Sequence, residues 1–130
     1  EIYMVAIDVY GKRLLQHEIS NGMLKTIYYI VELITMSKNS LVLIDEFENG
    51  LHYSVQQKLW KVIFSLSKSL NIQVFVTTHS RDAIRAFAAE NKENDGVFIR
   101  LERRKDKVIT ISYDDKEDLD LVLEQDIEIR

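Results

Sequence analysis

The stretch LVLIDEFENGLH (Leu41–His52), a helix-length interval, and then IQVFVTTHS (Ile72–Ser80) decide the fold. Leu41–Ile44 is continuously apolar, the pattern of a parallel strand covered on both faces. It runs into two adjacent carboxylates, Asp45 and Glu46. Ile72–Val76 is a second apolar run and ends in Thr77, Thr78, His79 and Ser80. Between them Val55, Leu59, Val62, Ile63, Leu66 and Leu70 recur at helical spacing. Strand, amphipathic helix, strand predicts a βαβ unit. Its carboxyl ends would bring the acid pair and the imidazole to one rim, where open α/β sheets bind their ligands.

The flanks extend the same pattern. Ile2–Tyr10 reads as a strand, Gly11 and Lys12 as a turn, and Arg13–His17 as a returning strand. Ser20 or Asn21 caps a helix whose Met23, Ile27, Ile30, Val31 and Ile34 form one apolar face, and Ser37–Ser40 ends it. Phe47–His52 is a loop. Ser80 caps a further helix through Ile84 and Phe87. Val97–Leu101 and Val108–Tyr113 alternate around a charged turn and predict a hairpin. A last helix starts at Asp114 and carries Leu119, Val122 and Leu123. This order argues for an α/β fold, a parallel sheet flanked by helices with a small antiparallel hairpin.

Composition narrows the function classes. The 130 residues make one domain or part of one. Cysteine is absent, which excludes a disulfide framework, thiol chemistry and a cysteine zinc site. No apolar run approaches the ~18 residues of a membrane span, and no basic region with a long apolar core marks a signal peptide. The expectation is a cytoplasmic protein without a membrane partner. Net charge is −4. From Asp114 to Arg130 eight acidic residues stand against Lys116 and Arg130, which reads as a solvated helix face. Arg100, Arg103, Arg104, Lys105 and Lys107 cluster at the predicted hairpin tip; a solvated turn is favoured there over a phosphate-backbone contact.

The motifs resemble those of ABC-type ATPases. LVLIDE looks like a Walker B strand with its final Glu46 in the catalytic position, FENGLH looks like the D-loop, and VTTHS looks like the His switch. Upstream, Ile19-Ser20-Asn21-Gly22-Met23 resembles a reduced ABC signature opening a helix. The likeness is to the non-transporter branch, akin to the SMC and OLD proteins and to AAA-family ATP-binding proteins, and covers Ser20 to about Phe87. A phosphate cradle would read G-x-x-x-x-G-K-S/T. The Gly11-Lys12 pair is followed by Arg13, and Ala6 stands where the first Gly belongs. The first residue is Glu1. The expectation is therefore residues 1–130 as a single domain, the carboxyl-terminal portion of a P-loop NTPase-type head. The Walker A half would lie on another segment or chain.

The resemblance implies roles for particular residues. Asp45 would hold Mg²⁺, usually through water, because Mg²⁺ dehydrates reluctantly. Glu46, one residue on in an extended chain, would face the other way and take the proton of the attacking water as the catalytic base. His79 would donate to the γ-phosphate of ATP. Ser20, Asn21 and Gly22 would bind nucleotide at a helix amino terminus, whose free N–H groups attract anions. Glu48, Asn49 and Gly50 would form the D-loop across a dimer interface, with Tyr53 standing where relatives often have Pro. His17 and His52 read as structural. The implied cofactors are ATP and Mg²⁺. The implied partners are a second copy or a P-loop-containing segment, with an indirect association with DNA, since relatives serve DNA repair, chromosome organisation and phage defence. Two other readings stand beside this one. One is a non-catalytic, split or degenerate head acting as a dimerisation module. The other is a metal-dependent nuclease built on Asp45, Glu46 and Glu48, which would need those carboxylates to converge on two metals.

Overall fold

A computed structural model describes residues 5–7, 13–15 and 20–124. The chain is α/β. β1 (Val5–Ile7) pairs antiparallel with β2 (Arg13–Leu15), the cores of the two strands expected there. The expected Gly11-Lys12 turn, His17 and the flanks of these strands lie outside the described residues. α1 (Asn21–Thr35) follows, capped by Ser20, whose hydroxyl accepts from the Met23 N–H. β3 (Leu41–Ile44), α2 (Tyr53–Leu70) and β4 (Gln73–Val76) form the expected βαβ unit. β3 and β4 are parallel neighbours, with Leu41 opposite Gln73 and Ile44 opposite Val76. α3 (Arg81–Glu90) starts at the Ser80 cap. β5 (Phe98–Arg104) and β6 (Lys107–Tyr113) make the antiparallel hairpin, and α4 (Lys116–Glu124) closes the described chain.

α2 ends where the sequence permits. Asn71 takes the left-handed conformation at its carboxyl terminus, a position Asn tolerates, with φ 52°. Its side chain donates to Asn39 Oδ1 at 2.6 Å, tying the end of α2 to the approach to β3. Tyr53 is the first residue of α2, where a backbone N–H has no intrahelical partner. Proline favours that position, and Tyr occupies it without losing a helix bond.

The core lies on one side of the β3–β4 pair. Val42 and Ile44 point into it against Leu33 of α1 and Leu59, Trp60 and Ile63 of α2. Phe47 is fully buried and stacks on Trp60 at 4.6 Å between ring centroids. The Trp60 indole N–H donates to the Ala83 carbonyl at 3.0 Å, fixing α2 to α3. Ile84 and Ala88 of α3 pack on Leu119 and Leu123 of α4, with Phe98 and Tyr113 of the hairpin beside them. Phe87 touches both groups.

Two sequence expectations are corrected. β3 is covered on one face only, with Leu41, Leu43 and Phe75 of β4 exposed and Leu43 at 72%. In α1 the buried residue is Leu33, with Tyr29 and Ile30 against the core, while Met23, Val31 and Ile34 of the predicted face stay exposed. The helix carries two apolar stripes at nearly the same spacing, and periodicity alone does not say which meets the core. No helix of the described residues is long and apolar enough to cross a membrane.

Candidate functional site

The parallel register sets the end of β3 beside the end of β4. The Thr77 N–H donates to the Ile44 carbonyl at 2.9 Å, and the Phe47 N–H donates to the Thr77 carbonyl at 3.0 Å. These bonds carry the pairing past the last strand residues and hold Asp45 and Glu46 against Thr77. The Thr77 hydroxyl sits between the two acids. It donates to Asp45 Oδ1 and accepts from the Glu46 N–H, the latter at 2.9 Å. Asp45 and Glu46 are exposed at this rim.

Glu46 leaves the strand conformation. Its φ is 48°, in the left-handed region, which a residue with a Cβ enters at a cost of about 1–2 kcal/mol. Strand alternation, on which the expected direction of Glu46 was based, therefore does not reach this residue, because β3 ends at Ile44. Two turns follow: the Asn49 N–H donates to the Glu46 carbonyl and the Leu51 N–H to the Glu48 carbonyl, both at 2.9 Å. Asn49 Nδ2 also reaches Glu46 Oε2 at 3.4 Å. Gly50 has φ 74°, a conformation open to glycine at little cost.

The amino-terminal turn of α1 packs against this loop. A Cβ on Gly22 would stand 2.4 Å from the Gly50 carbonyl oxygen, so the approach requires glycine. Lys25, one turn on, donates from Nζ to the Asn49 carbonyl at 2.7 Å and the Glu46 carbonyl at 3.1 Å. Gly22 is thus brought against Gly50 and Lys25 against Asn49 within one chain, with Ser20 and Asn21 directly preceding Gly22 at the start of α1.

Glu48 turns toward β4. Its Oε1 accepts the His79 N–H at 2.9 Å and its Oε2 accepts the Thr78 hydroxyl. Partial burial pushes this carboxyl up, but hydrogen bonds from Thr78, His79 and its own backbone, with the nearby imidazole, hold it below the usual carboxylate value. His79 itself is exposed. With both Glu48 oxygens engaged, the three acids do not converge. Among the described residues no group of three or more His, Cys, Asp or Glu is arranged to hold a metal. Asp45 fits a cation held by one carboxylate and water, not an all-protein cage.

His52 caps α2: its Nδ1 accepts from the Ser54 N–H at 3.4 Å. The hairpin tip is solvated as expected. Arg103, Lys105 and Lys107 are exposed, and Arg104 pairs with Glu102 of its own strand at 3.1 Å. Sequence reasoning passed over Thr77 and Lys25. Thr77 was legible as a polar residue directly after a buried strand. Lys25 was not, since its partners lie 21 and 24 residues away.

Comparison with known proteins adds a family. Residues 9–86, more than half of the chain, match the AAA-domain family described as a putative AbiEii toxin of a Type IV TA system. A protein of Helicobacter pylori (strain ATCC 700392 / 26695) described as an ATP/GTP phosphatase is 36% identical over 75 residues, which are 55% of this chain. The match spans 20% of that protein's length. The matched family region takes in the α1 cap, the acid loop and the Thr77–Ser80 turn, and the chain belongs to this AAA-domain family.

Proposed function

We propose that the chain is the carboxyl-terminal half of a dimerising ABC-type nucleotide-hydrolysing head, of the branch akin to SMC and OLD proteins, that binds and hydrolyses ATP with Mg²⁺. The observation that carries the reading is the Thr77 hydroxyl joining Asp45 and the Glu46 backbone, which fixes the acid pair to the strand that leads to His79. The relative described as an ATP/GTP phosphatase supports nucleotide hydrolysis and leaves open which nucleotide is preferred.

In this reading Asp45 offers the metal its carboxylate oxygen that Thr77 leaves open, keeping water in the remaining positions. The bound ion supplies charge neutralisation on the phosphates. Glu46 accepts the proton of the attacking water, and its exposed position on the rim leaves room for one. His79 donates toward the γ-phosphate. Ser20, Asn21 and Gly22 present a helix amino terminus to the nucleotide of a second copy, and Asn49 and Gly50 lie at that interface. Leu41, Leu43 and Phe75 form an exposed sheet face, and parallel sheets occur with both faces covered. We assign that cover to the phosphate-binding half, on another segment or a partner chain.

The test is Glu46→Gln in the intact protein. ATP binding should persist while turnover falls by roughly 10²-fold or more, and the nucleotide-bound dimer should be longer lived. Unchanged turnover would remove Glu46 from its role. A second reading is favoured by the absence of a G-x-x-x-x-G-K-S/T run from the sequence: a non-catalytic split head that supplies only a dimerisation surface. It predicts no turnover by the wild-type intact protein at all.

A further inference from the structure

One side chain joins the loop after β3 to the turn after β4. Glu48 stands in the acid loop, yet both of its carboxylate oxygens are spent on the other strand's exit, on the Thr78 hydroxyl and the His79 N–H. Thr78 passes the connection on, because its Oγ1 also accepts the Ser80 N–H at 3.1 Å, and Ser80 caps α3. Two acceptor oxygens let one side chain hold a hydroxyl and a backbone N–H at once, and a charged acceptor strengthens both bonds.

We propose that Glu48 is a positioning residue for His79. Beyond the Thr77 bonds to Asp45 and Glu46, its carboxylate ties Thr78 and the His79 backbone to the acid loop, so that the residue bearing the imidazole is fixed relative to Glu46. The role follows from the two oxygens' partners and needs no contact between Glu48 and nucleotide. It rests on the reading of His79 as the residue that meets the γ-phosphate.

The experiment compares E48A, E48Q, H79A and E48A/H79A in the intact protein. E48A lowers kcat roughly 10- to 100-fold, the scale of a small misplacement at a reacting centre, while KM for ATP stays within about threefold. E48Q, which keeps one acceptor, falls between E48A and wild type and guards against a folding defect in E48A. The double variant is no slower than H79A, because both substitutions act through the same imidazole. The backbone amide of residue 79 loses protection from hydrogen exchange in E48A. Wild-type turnover in E48A, or losses that multiply fully in the double variant, overturns the proposal. Wild-type turnover in H79A defeats the reading beneath it. That failure is told apart because the amide of residue 79 still loses protection in E48A.

Discussion

Glu48 also gives the rim a pH dependence whose sign is fixed. Its folded carboxyl titrates below the ordinary value, since the donated hydrogen bonds outweigh the effect of partial burial. A group depressed in this way contributes stability that is fully present above its unfolded value, about 4.3, and is lost as pH falls through the folded one. The gap in urea midpoint between wild type and E48Q should therefore be constant near neutrality and close below about pH 4. A gap that widens on acidification would mean that the carboxylate is destabilising in the fold. Thr77 works on the same scale with no charge. One hydroxyl serves an acid as donor and a backbone amide as acceptor, and the left-handed Glu46 is held by it and by Lys25.

At the scale of elements, the contact between α1 and the acid loop depends on two glycines. Gly22→Ala would place a Cβ 2.4 Å from the Gly50 carbonyl, backbone against backbone, so α1 must move away. Overpacking of this kind costs about 1–3 kcal/mol, and the shift should also break the Lys25 bonds to Glu46 and Asn49. Thermal melting of Gly22→Ala against Asn21→Ala, at an exposed neighbour, checks it: only the first should lower Tm. The elements themselves were legible. Buried runs, helical spacing and the Ser20 and Ser80 caps placed α1, β3, α2, β4 and α3, because each signal is local. The left-handed Glu46 was not legible, since its conformation is set by bonds from Thr77 and Lys25. The buried face of α1 was misread because Leu33 and Ile34 are adjacent members of two rival stripes, and only the partner across the interface chooses.

At the scale of the whole molecule, the exposed Leu41, Leu43 and Phe75 distinguish a free sheet face from one closed by further chain. If the phosphate-binding half covers them, Leu43→Glu buries an unpaired carboxylate in the intact protein. It should then lower stability by several kcal/mol. Leu43 at 72% exposure in an uncovered sheet would tolerate the change, so an unaltered Tm would argue against the cover. The sequence pattern anticipated two-sided burial of β3, and only one side is buried by these residues. That mismatch was readable only once both faces were placed in space.

Phe87 belongs to two packings. Its ring meets Trp60 edge-on at 5.2 Å on one side and joins the Ile84, Ala88, Leu119 and Leu123 group on the other. Gly96 lies so near that a Cβ there would stand 2.8 Å from the same ring. Opening the carboxyl-terminal hairpin and α4 thus uncovers one side of Phe87, the ring that packs edge-on against the central tryptophan. The hairpin with α4 and the half that carries the acid loop should melt as one cooperative unit, with tryptophan fluorescence reporting on both.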